Sequence, residues 1–421
     1  MEKQDIFDLY LEYVENSSEA SFQFHRWSFL TGVAALLGRQ VWLPFGGDLV
    51  YPNMYTILLG PSASRKSSAI NMSKKLLACV GYDKFAKEKS SKEQFLMDLA
   101  KGFGRHKLTL EEAEALCNEE WDNPDPHEVL ICAGELEDFL GAKDSGFISL
   151  LTNLYDNLPK YEHPKLTGKD VYVPKPTVSL LGGATSQTFT TIFPPEATGQ
   201  GILSRIPLIY AADRRCRITL PPPPPTELHQ FLVERLQMVA SSIHGPMSVA
   251  PEAFKMIDDI YQADFPIEDA RLASYSGRRH MNLWKLCVIY AAVNLRMTIE
   301  PEDVLRANSV LHHAELFMPK ALGEFGRSQN SATTDTVMAA IQRVTKSGGA
   351  DINQLMKACS NDLRDMKELG DILRKLMAAQ KIATAGGGMK FIALPSTNKK
   401  NYPHVDFTLL REYDAGLLTN K

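Results

Sequence analysis

The segment Met54-Tyr55-Thr56-Ile57-Leu58-Leu59 is an apolar run that stops abruptly at Gly60-Pro61. A helix-compatible stretch, Ser67 to Val80, follows six residues later, with Ile70, Leu76, Leu77 and Val80 apolar and Lys74 and Lys75 polar. A mostly apolar run ending at Gly and Pro is the pattern of a fully buried strand meeting a loop. The loop reads Gly60-Pro61-Ser62-Ala63-Ser64-Arg65-Lys66-Ser67, with Ser68 next. It matches G-x-x-x-x-G-K-[ST] at every fixed position but one, Arg65 standing where the second glycine would be. In that pattern backbone N–H groups surround a β-phosphate, the lysine reaches the β and γ oxygens, and the hydroxyl coordinates Mg²⁺. Gly60 through Ser68 are therefore the candidate nucleotide contacts, Lys66 the phosphate contact, and Ser67 the magnesium ligand. Arg65 removes a flexible position and adds a cation beside the phosphates.

The rest of the chain has the composition of a globular, multidomain protein. At 421 residues it is long enough for two to four domains, and its 44% hydrophobic and 23% charged residues exclude long disorder and coiled-coil rods. A net charge of -4 removes any case for nucleic-acid binding from overall charge, so DNA contact must be local. No apolar run approaches a membrane span, and the start Met-Glu-Lys-Gln-Asp is no signal peptide, which predicts a cytoplasmic protein with no membrane partner. Cys79, Cys117, Cys132, Cys216, Cys287 and Cys359 are scattered, without zinc-ligand spacing, and read as reduced thiols.

Further apolar runs at Val129–Cys132, Thr177–Leu181 and Ile206–Tyr210 alternate with helical segments, which predicts an α/β layer with a largely parallel sheet. The organisation expected is a helical lead-in over 1–40, a core over 41–220 and a helical subdomain over 226–327. A small domain over 331–396 and a tail over 397–421 complete it. Pro221 to Pro225 set the boundary after the core, because they continue neither a helix nor a central strand. Over 331–396 three helices precede Gly386-Gly387-Gly388 set between two extended runs, the outline of a winged helix. Eight lysines and three arginines against six acids over 331–400 make this region locally basic.

The chemistry then needs an acid at the end of a neighbouring strand. Ala133-Gly134-Glu135 supplies Glu135 as base or water-positioning residue, with Gly134 where a metal-binding aspartate would precede it; Glu137 or Asp138 can contribute through water. After the third run, Gly182-Gly183 reads as a glycine-rich turn and Thr185 as the γ-phosphate sensor, with Ser186 and Gln187 behind. Gly201-Ile202-Leu203-Ser204-Arg205 places an arginine before the fourth run, as a finger toward a neighbouring subunit or as a structural ion pair. In Ser276-Gly277-Arg278-Arg279-His280 an arginine either folds back on the nucleotide or meets acids or DNA phosphates. Lys101-Gly102-Phe103-Gly104-Arg105-His106-Lys107 is a candidate DNA-contacting loop or a solvated one.

Four segments in this order resemble the phage and mobile-element helicase-like P-loop ATPases often fused to primase-polymerase domains. They are the loop ending Ser64-Arg65-Lys66-Ser67, Leu150-Leu151-Thr152-Asn153-Leu154-Tyr155-Asp156, Pro176 through Thr185, and Gly201 through Arg205. The likeness spans about residues 20 to 300. Several members carry an arginine before the P-loop lysine, whereas most keep an aspartate where this chain has Gly134. The resemblance implies a P-loop NTPase core of RecA-like or AAA+ type, with three layers, and a ring-shaped homo-oligomer of hexamer type. It also implies ATP with Mg²⁺ as cofactors, single-stranded DNA as substrate, and a primase or polymerase of the same element as partner, in a bacterial host if phage-borne. Carried over, Lys66 and Ser67 contact phosphate and magnesium, Glu135 is the catalytic acid, Thr185 the sensor and Arg205 the finger. The expected function is a replicative DNA helicase; the alternative is an ATP-switched initiator or helicase loader with weak hydrolysis.

Overall fold

The computed structural model describes residues 5–104, 109, 125–142, 144–163, 171–193, 201–263, 269–322, 329–345, 348–359, 363, 365–378, 382–385, 390–393 and 402–411. Two compact units result, Met1–Gly323 with Pro403–Lys421, and Glu324–Tyr402.

The larger unit begins with helix α1 (Ile6–Glu15), whose N-cap Asp5 accepts from Phe7 N–H, and helix α2 (Phe22–Leu37), capped by Ser21. All but two of the sixteen residues of α2 are buried, so α2 is an interior helix rather than a lead-in. It packs on the central sheet and on the helix after the loop. The Tyr10 ring stacks on Phe29 at 4.2 Å, joining α1 to α2.

Strands β1 (Val41–Phe45) and β2 (Asp48–Val50) form an antiparallel hairpin with Leu43 opposite Val50. Strand β3 (Tyr55–Leu59) is buried at every residue, as its apolar run predicts. Helices α3 (Lys66–Val80) and α4 (Lys92–Ala100) lead to strand β4 (Glu128–Ala133). An antiparallel pair, β5 (Lys160–His163) and β6 (Val171–Pro174), precedes β7 (Thr177–Ala184), and β8 (Leu208–Tyr210) closes the set. The central sheet has the order β4-β7-β3-β8, all parallel, with Ile57 opposite Gly182 and Leu208. Helices flank it, as parallel sheets require for burying both faces. Truncating a core side chain such as Ile57 to Ala costs about 2–5 kcal/mol.

The prolines Pro221–Pro225 lie between β8 and a helix, Thr226–Ser242, inside this unit. The later helix Arg279–Val293 is also mostly buried, and Phe7 meets its Tyr290 edge-on at 4.9 Å. Residues 403–411, within the expected tail, fold back onto this unit. The Asn308 amide donates to the carbonyls of Pro403 and His404 at 3.0 and 2.9 Å, and Arg411 pairs with Glu15 at 2.6 Å.

In the smaller unit, helices Gln329–Thr345, Ile352–Ala358 and Met366–Ala378 precede an antiparallel pair, Ile382–Ala385 with Lys390–Ala393. Val337, Ile341, Leu355, Leu369, Leu373 and Ile382 form its core. Gly386-Gly387-Gly388 lie outside the described residues. Among the described residues, no helix of the chain is long and apolar enough to cross a membrane.

Candidate functional site

Where β3 ends, Gly60 turns the chain away from the sheet. Its N–H donates to Ala184 O at 3.3 Å, and a Cβ there would lie 2.6 Å from Ala211 O, so no side chain fits. Ser64 N–H and Oγ both donate to Pro61 O, at 3.3 and 2.8 Å, which closes a tight turn. Helix α3 then starts at Lys66 without a side-chain cap, and Ala69 N–H makes its bond to Arg65 O. The first-turn N–H groups that a helix leaves without internal partners are what an anion takes up.

Arg65 has φ 66° and ψ 26°, the left-handed conformation. The chain thus adopts the backbone a glycine would hold, and Arg65 carries about 1–2 kcal/mol of strain for it. An ion pair holds its side chain: Arg65 Nε donates to Glu19 Oε2 at 2.7 Å. Glu19 is buried, also takes Arg214 at 3.2 Å and accepts from Ile218 N–H at 2.7 Å. The Ile218 N–H and the Arg65 guanidinium hold its carboxyl down at about 2. The Arg65 cation is therefore directed toward Glu19, a residue the sequence reading did not single out.

The Lys66 ammonium crosses the loop and donates to Gly60 O and Pro61 O at 2.9 Å each and to Ser64 Oγ at 3.2 Å. Burial pushes its pKa down, and the Glu135 carboxylate pulls it back up. A phosphate oxygen would replace neutral acceptors with charged ones, which favours the ammonium form.

The ends of β4 and β7 close on this loop. Ser67 Oγ lies 3.4 Å from Gly134 O, a long contact that leaves the hydroxyl weakly engaged. A Cβ at Gly134 would sit 3.2 Å from both Ser67 Cβ and Oγ, so an aspartate there would press on the hydroxyl it is meant to assist. Glu135 follows, exposed, at the head of the short helix Leu136–Leu140. The strand carrying it is not adjacent to β3, because β7 lies between.

Gly182 and Gly183 are not a turn. Both lie inside β7, buried, because a Cβ at 183 would meet Gly134 O at 2.6 Å and one at 182 would meet Leu136 Cδ1 at 2.7 Å. The glycines let β4 and Lys66 approach β7 closely. Thr185 sits at the end of β7 but its Oγ1 accepts from Thr188 N–H at 3.1 Å, capping the helix Ser186–Ile192.

Arg205 is elsewhere. It precedes β8, whose Leu208 pairs with Ile57 in the parallel sense, so it lies at the N-terminal ends of the strands. The loop lies at their C-terminal ends, about 16 Å away for a five-residue strand. Arg205 is buried, pairs with Asp156 at 2.6 Å and donates to Gly201 O at 2.8 Å. Arg278 approaches the same carboxylate at 3.7 Å, at the same end of the sheet. Arg279 is a core residue, bonded to Glu315 at 2.8 Å and Asn308 at 2.8 Å. Of the basic loop, Lys101 to Gly104 are described, with Phe103 buried against Phe95, while Arg105, His106 and Lys107 lie outside the described residues.

The structure thus brings together Gly60 to Ser68, Gly134, Glu135 and Thr185, and separates Arg205 and Arg278 from them. Sequence reasoning missed Glu19 beside the loop and, away from it, the buried Lys285, whose ammonium donates to Asn53 O and Oδ1 at 2.8 and 2.7 Å. Lys285 carries a legible signal, a lysine in the middle of the apolar run Leu283-Trp284-Lys285-Leu286-Cys287. No protein-family model matches this sequence, and no curated protein matches it.

Proposed function

We propose that this chain is an ATP-driven motor on single-stranded DNA, a replicative helicase of the phage type with a P-loop core of RecA-like or AAA+ kind. The observation that carries this reading is the loop at the end of β3, where a buried lysine, an uncapped helix start and the Ser67 hydroxyl converge beside Glu135.

Lys66 exchanges its loop carbonyls for β and γ oxygens of ATP, and the first-turn N–H groups of α3 bind the remaining phosphate oxygens. The Ser67 hydroxyl, weakly held and next to Glu135, fits a magnesium ion completed by phosphate oxygens. Such an ion would neutralise charge developing on the phosphates. Glu135 orients the attacking water and accepts its proton, and its exposure leaves room for that water. Thr185 marks the γ-phosphate end of the site through the helix it caps. Arg205 is too far from its own loop to act there, so as a finger it serves a second copy in a ring, after leaving Asp156. The three helices and hairpin of the smaller unit are read as a winged helix engaging DNA, and a primase or polymerase of the same element as the functional partner.

A second reading is an ATP-switched replication initiator or helicase loader. Gly134 favours it, since no carboxylate precedes Glu135 to hold the metal. Steady-state ATP hydrolysis with and without single-stranded DNA, for the wild type, Lys66→Ala and Glu135→Gln, separates the two. Strong stimulation abolished in both variants supports the motor. ATP binding with negligible turnover on any DNA rejects it in favour of the switch.

A further inference from the structure

A cavity of about 1040 Å³ opens at the N-terminal ends of the parallel strands, the end of the sheet remote from the loop. Its walls come from the segments preceding β3, β4, β7 and β8 and from the start of the helix Arg279–Val293. Ligand sites in open parallel sheets ordinarily lie at the opposite, C-terminal end, which the loop already occupies.

Five cationic side chains line this cavity, Arg39, Lys175, Arg205, Arg278 and Lys285, against the carboxylates of Asp48 and Asp156. Arg205 and Arg278 share the single Asp156 carboxylate. The Lys285 ammonium is bonded to neutral groups, Asn53 O and Oδ1 at 2.8 and 2.7 Å, and lies 4.0 Å above the Tyr155 ring. Burial disfavours the charged form of Lys285, so the excess of positive over negative charge in the lining rests on the other four cations against the two carboxylates, and it favours an anion. Aromatic surface sits beside it. Trp42 and Tyr51, both half-buried, have ring centroids 6.4 Å apart, and the Arg39 guanidinium lies 4.7 Å from the Tyr51 ring. Two buried polar atoms of the lining, Arg39 Nε and Asn157 Oδ1, have no hydrogen-bond partner among the described residues. Small-ligand sites have volumes of about 300–1,000 Å³, so this cavity lies at the upper end of that range.

We propose that this cavity is a subsite for single-stranded DNA, with backbone phosphates against Arg278 and Lys175 and unpaired bases stacked on Trp42 and Tyr51. Cations tracking a backbone, interleaved with aromatic faces, are the recognition chemistry of single strands; a duplex offers no free base faces to stack. The inference rests on the single-strand reading above, but on residues none of which belongs to the ATP loop.

The test is fluorescence anisotropy of a labelled oligothymidylate with the full chain, wild type against Arg278→Glu/Lys175→Glu. Melting temperature and sedimentation of both proteins control for folding and assembly. The expected result is binding weaker by about 10-fold or more in the double variant, with a shallower salt dependence because phosphate contacts are lost. An oligonucleotide carrying 5-iodouracil is expected to crosslink to Trp42 or Tyr51. Wild-type binding with an unaffected double variant and crosslinks elsewhere overturns this proposal and leaves the motor standing. A wild type that binds no single strand overturns both. Loss of binding accompanied by loss of assembly assigns the cavity to a subunit contact. Displacement of the strand by ATP from Lys66→Ala assigns it to a free nucleotide. Either result overturns the proposal.

Discussion

The two ends of the central sheet are built on opposite plans. At the C-terminal end, one continuous segment, Gly60 to Ser68, supplies backbone, ammonium and hydroxyl, and Gly134 after β4 and Gly183 in β7 let it sit close. At the N-terminal end, charged and aromatic side chains arrive from positions as distant in sequence as Arg39, Asp156, Arg205 and Lys285. The first end depends on backbone shape, and the second on a balance of buried charge. Substitutions that alter shape should hurt the first, and pH should act on the second.

The largest effect is expected at Lys66. Lys66→Ala should reduce ATP turnover on the order of 100-fold or more, the scale of losing a preorganised electrostatic contact, measured by steady-state phosphate release. Gly183→Ala probes shape alone. Its methyl would lie 2.6 Å from Gly134 O, a backbone atom that cannot turn aside, so unfolding free energy in urea should fall by about 2 kcal/mol.

Lys285 probes the charge balance. Burial holds its pKa down at about 7, against the ordinary 10.5, so between these values the unfolded chain binds a proton that the folded chain has released. Stability should therefore rise with pH across that window, by up to about 1.4 kcal/mol per pH unit from this group, and show none of this slope below about pH 7. Lys285→Met should remove that slope, read as the difference between wild-type and variant urea midpoints across the range. The smallest effect concerns Arg65. Arg65→Gly should be more stable than Arg65→Ala by about 1 kcal/mol, since both lose the Glu19 pair and only glycine relieves the left-handed backbone.

How far each end was legible follows from the same difference. The loop was readable because its chemistry is contiguous, and β3 because a run that is apolar except for Thr56 fits a strand buried on both faces. Gly182-Gly183 misled, because glycine signals a turn and close packing equally, and only the positions of Gly134 and Leu136 decide. Arg65 looked like a departure from the pattern, yet the backbone conformation persists and Glu19, 46 residues earlier, holds the side chain. The cavity was invisible as a unit. Arg205, Arg278 and Tyr155 were each singled out or quoted, but their meeting at Asp156 depends on strand order, which no local pattern encodes. The interior position of α2 was likewise hidden, since an apolar helix near the start of a chain reads as an appendage until its partners are known.

The most direct test of the assignment of nucleotide to the C-terminal end is calorimetric titration of ATP with Mg²⁺ into the wild type and into Lys66→Ala. Hydrogen bonds to charged groups contribute about 1.5–3 kcal/mol each, so the variant should bind about 10-fold to 100-fold more weakly. Equal affinity in the two proteins would contradict nucleotide binding at the loop.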